Sequence, residues 1–249
     1  MRYFIHLAYD GTRFHGWQIQ PNGISVEGEI EQRLSTLLRQ PVDIVGAGRT
    51  DAGVHARHMV AHFDISLECD PEQLCYRLNR MMPPDICIYK IEKVADDKHA
   101  RFSAVSRTYH YYVSTVRNPF NRQYSWLCHY DLDFELMNQA AKILMEYKDF
   151  ASFCKSHTDV KTTLCDVSEA KWYSLTPNET NNYEGEYYFR IKANRFLRNM
   201  VRAVVGTLVE VGRHRLTLDD FRNVIEGKKR TMAGESMPAN ALFLEKIEY

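Results

Sequence analysis

Apolar and polar residues alternate over residues 3–9, which places Ile5, Leu7 and Tyr9 on one side of an extended chain before Asp10 and Gly11 supply turn chemistry. The period then changes. Val26, Ile30, Leu34, Leu37 and Leu38 recur at helical spacing, so the pattern predicts an amphipathic helix capped by Ser25 and running through Arg39. A short buried strand at 42–45 and another at 58–63 flank the glycine-punctuated loop GAGRTDAGVHA. Asp70 and Pro71 open a helix through Met82, which Pro83-Pro84 stops. Strands are predicted at 86–94 and, with clear alternation, at 106–115.

Beyond that point Asp133 caps a helix carrying Leu136, Ala140, Leu144 and Met145, and strand-like stretches cover 164–175 and 186–193. The pattern predicts one helix over 194–211 and another over 218–226, closed by Gly227 in the favoured C-terminal position. A strand at 241–248 ends the chain. The polar run between Tyr173 and Glu186 reads as a hairpin or loop without assigned chemistry. Strand, helix, paired strands, helix and strand thus occur roughly twice, which predicts an α+β fold of two similar halves, residues 1–105 and 106–249.

Composition narrows the function classes. Apolar residues make up 45% and charged residues 26% of the 249, the profile of a folded globular chain. The formal net charge is +0, so any affinity for nucleic acid must come from Lys and Arg gathered on one face. The six cysteines show no CxxC spacing and the start is too polar for a signal peptide, which fits a reducing cytoplasm. No stretch approaches the roughly 18 to 20 apolar residues of a membrane span.

Within residues 46–56 three glycines surround Arg49, Thr50 and Asp51, so the backbone can present one carboxylate from a tight turn. A turn aspartate bonded to its own backbone is the plainer reading. A phosphate cradle would need GxxxxGK[ST], or GxGxxG entering a helix, and neither is there. Arg195, Arg198 and Arg202 stand at i, i+3 and i+7, which on a helix would gather three guanidinium groups on one face, unless that face is simply solvated. Arg101, Arg107 and the run Lys228-Lys229-Arg230 could extend such a track. His55, His58 and His62, and Cys154, His157 and Cys165, lack the strong zinc spacings, so no metal is expected.

The motifs GRTDAGVHA, YDGTRFHGWQ and ARFSAVSRTYHYYV, with NRFLRNMVRAVVGTLVEVG and the closing PANALFLEKIEY, resemble the tRNA pseudouridine synthase family along nearly the whole chain. The chain departs from that family at Glu27, where Gln is usual, and at Ala241, where Gly is usual. The resemblance implies two ferredoxin-like halves whose mostly antiparallel sheets join, with helices on one side and a central RNA-binding cleft. It implies isomerisation of uridine to pseudouridine at positions 38, 39 and 40 of the tRNA anticodon stem-loop by a cytoplasmic homodimer that needs no cofactor. Asp51 would be the essential carboxylate, and Tyr109 the ring that stacks on the flipped uracil. Arg49, Arg198, Arg202 and Leu242 would contact substrate, with Arg202 pairing to Asp51. Two other classes compete. A catalytically inactive tRNA-binding module should lack the intact Asp51 loop, and a glycosidic hydrolase needs a second carboxylate, for which no residue stands out.

Overall fold

The computed structural model describes residues 1–66, 68–155, 160–175 and 185–249. Its strands in chain order are β1 (Arg2–Tyr9), β2 (Ile44–Gly46), β3 (His55–Asp64), β4 (Ile86–Val94), β5 (Ser106–Ser114), β6 (Trp126–Leu127), β7 (Val167–Ser174), β8 (Glu186–Ala193) and β9 (Leu242–Glu248). The helices are α1 (Val26–Leu38), α2 (Pro71–Asn79), α3 (Phe134–Ile143), α4 (Met200–Gly212) and α5 (Leu218–Glu226). The fold is mixed α+β, and the chain forms two compact units, Met1–Val105 with Phe243–Tyr249, and Ser106–Leu242.

In the first unit β1 is central, antiparallel to β3 on one side and to β4 on the other, while β2 adds antiparallel to β3. Tyr3, Ile5 and Leu7 are fully buried together with Ile30 and Leu34 of α1 and Leu78 of α2. Burying each such side chain stabilises by about 1.5 to 3 kcal/mol. The Ser25 hydroxyl accepts from Gly28 N at 3.1 Å and the Asp70 carboxylate from Glu72 N at 3.0 Å, so both helices begin at the expected caps. Helix α2 stops at Asn79, short of Met82, and the Asn79 amide there ties it to β4, donating to Ile88 O at 2.7 Å and accepting from Ile88 N at 2.8 Å.

The final strand, expected with the C-terminal half, belongs to this first unit. It runs parallel to the start of β3, pairing His55 with Phe243 and Ala56 with Leu244. Val105 N donates to Glu248 O at 2.8 Å and the Tyr249 hydroxyl to Ala100 O at 2.7 Å.

In the second unit β8 lies between β5 and β7, antiparallel to both, and β6 runs parallel to β5. Helix α4 is buried all round except at Arg202 and Glu210, the signature of a helix inside a core. Its Gly206 lies against residues 234–235: a methyl group there would meet Glu235 O at 1.9 Å.

Two expectations fail here. Helix α4 begins at Met200, not Asn194. Asn199 is left-handed at φ 66, Lys155 N donates to Arg198 O at 3.0 Å, and Asp166 N donates to the Asn194 side chain at 2.8 Å, so residues 194–199 are tied sideways instead of coiling. Gly227 is right-handed at φ −66, and Lys228 at φ 50 takes the left-handed place. A methyl group on Gly227 would meet the Met232 sulfur at 2.3 Å, but Met232 is 42% exposed and free to swing aside. Of the polar run before Glu186, residues 176–184 lie outside the described residues, as does His157.

Candidate active site

The loop that carries Asp51 joins β2 to β3 and is held from several directions. Asp51 O accepts from Val54 N at 3.2 Å, closing a four-residue turn in which Gly53 takes φ 78, a conformation that favours glycine. The segment after β1 then packs against this turn. Trp17 N donates to Thr50 O at 3.4 Å, Gly53 N to Phe14 O at 3.3 Å, and the Tyr9 hydroxyl lies 2.9 Å from the Thr50 hydroxyl.

Two glycines of YDGTRFHGWQ permit that approach. A methyl group on Gly11 would stand 2.0 Å from Val54 O, and one on Gly16, whose φ is 89, would stand 2.3 Å from Thr50 O. Gly46 leaves room for the indole of Trp17 at the loop's start, where a methyl group would meet the ring at 2.5 Å. Trp17 is itself 2% exposed, and its Nε1 donates to Glu27 Oε1 at 3.1 Å while Ile19 N donates to Glu27 Oε2 at 2.9 Å. Glu27 therefore uses both carboxylate oxygens, a capacity that glutamine lacks. Below the loop, buried His55 accepts from Gly11 N at 2.9 Å and stacks on Phe243, ring centres 4.5 Å apart. Asp51 is half-buried and Arg49 exposed, so the arrangement presents a carboxylate from a backbone with little freedom to move.

The second unit carries the other candidates. Tyr109 on β5 is half-buried and meets Phe196 edge-on at 5.1 Å. Tyr111, two residues on in the same strand, is 0% exposed, and its hydroxyl donates to Pro238 O at 3.0 Å. Burial pushes that phenol's pKa up, and with its hydroxyl committed to Pro238 it is a core residue.

Arg202 is half-buried in the first turn of α4, where a cation works against the helix dipole. Its Nε donates to Met237 O at 2.6 Å, while Met237 N donates back to Arg202 O at 3.2 Å. The expected arginine face does not form, because Arg195 and Arg198 precede the helix. Arg198 is exposed, whereas Arg195 donates to Thr162 O at 3.0 Å and so serves to hold the chain. Leu242 is 6% exposed beside fully buried Ala241, whose backbone lies outside the left-handed region and so accepts alanine without strain.

The histidines serve separate ends. His58 lies 3.1 Å from His6, and His62 accepts from Ala100 N at 3.2 Å. Among the described residues no three His, Cys, Asp or Glu side chains are grouped as metal ligands, and no helix is long and apolar enough to cross a membrane.

The sequence model of the tRNA pseudouridine synthase family matches residues 5–103 and 140–249. The chain belongs to this family. Proteins named tRNA pseudouridine synthase A from Bacteroides thetaiotaomicron and Bacteroides fragilis are 56% and 55% identical to it, across its full length and 90% and 96% of theirs. The protein of the same name from Bacillus pumilus is 39% identical over 98% of this chain and 97% of its own. The matched stretches of this pseudouridine synthase include Asp51, Arg198, Arg202 and Leu242, whereas Tyr109 falls between them. The supports of the Asp51 loop at Gly11, Gly16, Glu27 and His55 were not legible as such. Their only signal was the close sequence of two motifs whose packing partners are decided in three dimensions.

Proposed function

We propose that this chain isomerises uridine to pseudouridine at positions 38, 39 and 40 of the tRNA anticodon stem-loop, with Asp51 as the reacting carboxylate. Support comes from family membership together with one observation: the Asp51 turn is held by Trp17, Phe14 and Tyr9 and closed by a left-handed glycine. Isomerisation breaks the bond from C1′ to N1, turns the uracil and joins C5 to C1′, so the hydrogen on C5 is lost and N1 gains one. A carboxylate can attack or stabilise the cation-like sugar carbon, or assist loss of its neighbouring proton.

The target base must leave its stack, and Tyr109, half-buried and edge-supported by Phe196, offers the replacement stacking surface. Arg49 and Arg198 supply guanidinium groups for phosphate, Arg202 is the arginine that the family resemblance pairs with the reacting carboxylate, and Leu242 gives an apolar contact. The enzyme acts as a homodimer in the cytoplasm, where its six unpaired cysteines stay reduced.

The test is pseudouridine mapping of unmodified tRNA incubated with the chain, beside Asp51→Asn, which keeps shape and removes charge. Pseudouridine at 38–40 with wild type, absent with Asp51→Asn while tRNA binding persists, is the expected result. Binding without conversion by wild type would instead identify an inactive tRNA-binding module.

A further inference from the structure

The segment after β5 runs Val116-Arg117-Asn118-Pro119-Phe120-Asn121-Arg122, and it lies outside the stretches matched by the family. Phe120 is 87% exposed, more than any other large apolar side chain among the described residues. A flexible loop could turn that ring inward, where burial is worth about 1.5 to 3 kcal/mol. This loop is pinned. Glu186, 4% exposed, accepts from the Asn118 side chain at 2.6 Å and from the Asn121 side chain at 3.0 Å, spending its buried carboxylate on the loop. Phe120 N donates to the Asn118 side chain at 3.0 Å and Tyr124 N to Asn121 O at 2.9 Å, while the Asn240 side chain donates to Gln123 O at 3.1 Å. Such a frame orders the loop and leaves its aromatic ring in water.

Charge identifies the occupant. Arg117 and Arg122 are both exposed, and no acidic residue occurs from Thr115 to Tyr130, in a chain whose net charge is +0. An aromatic ring between two guanidinium groups on a rigid loop is the pattern that takes a base by stacking and its flanking phosphates by charge-assisted hydrogen bonds. We propose that this loop is a tRNA-docking surface, with Phe120 stacking on an unpaired nucleotide and Arg117 and Arg122 neutralising phosphates. The proposal rests on the reading of the chain as a tRNA enzyme.

Affinity for unmodified tRNA, measured against salt between about 50 and 200 mM, tests it with three variants of the full chain. Phe120→Ala should weaken binding about 5- to 150-fold, and Phe120→Tyr should restore it. Arg117→Gln/Arg122→Gln should lower the slope of log Kd against log salt by about 1.4. Thermal midpoints should not move, because all three side chains face solvent.

Wild-type affinity and slope in Phe120→Ala and the double variant would overturn the proposal while leaving the tRNA reading intact. So would a change in oligomeric mass with unaltered affinity, which would make the loop a protein contact. Failure of the wild-type chain itself to bind tRNA would sink both readings.

Discussion

A methyl group placed on Gly16 would stand 2.3 Å from the Thr50 carbonyl oxygen, whereas ordinary contact begins at 3.4 Å. Gly16→Ala must therefore open the gap between residues 16 and 50 by about 1 Å, and it must hold φ 89, which alanine resists. Overpacking of this kind costs about 1 to 3 kcal/mol and the left-handed backbone about 1 to 2 more. Together they should lower the thermal midpoint of a chain this size by roughly 4 to 20 °C.

The chemical consequence should be larger. Thr50 adjoins Asp51, and a misplacement of about 1 Å at a reacting group can cost on the order of 100-fold in rate. Loss of the C5 hydrogen can be followed as tritium released from C5-labelled tRNA, at saturating tRNA so that kcat is read, with binding measured separately. The expected outcome is a depressed kcat with tRNA affinity close to wild type. A variant that loses stability but keeps wild-type kcat would refute the claim that the segment after β1 positions Asp51. Gly48→Ala is the stability control, since nothing lies within 4 Å of a methyl group there and its midpoint should stay put.

Burial, with Arg2 and His99 nearby, holds the His62 pKa down from 6.5 to about 4, and His58 and His99 shift in the same direction. For His62 the unfolded chain then binds more protons between those limits, so its contribution to stability is complete above about pH 6.5 and is lost toward pH 4, at up to about 1.4 kcal/mol per unit. Urea midpoints that stay level from pH 7 to 5, or that His62→Gln leaves equally steep, would contradict this. Glu27→Gln should cost about 1 to 3 kcal/mol, because one of Trp17 Nε1 and Ile19 N then faces an amide donor. Calorimetry checks it, and an unchanged midpoint would mean the two bonds carry no net stability.

What the chain determined by itself is local. The period-two and helical patterns, with capping residues whose side chains reach backbone groups two or three positions away, set β4, β8 and α5 and started α1, α2 and α3 where expected. The Asp51 loop was legible because its glycines are contiguous with the carboxylate they display. Tertiary structure decided the rest. Whether 194–199 coils depends on Lys155 and Asp166, far along the chain, so the spacing of three arginines said nothing reliable about a shared face. Which strand receives β9 depends on the start of β3. A hydrogen-bonded cap or a period is written in neighbouring residues. A close approach between segments depends on which atoms arrive from elsewhere, and only the folded core brings them together.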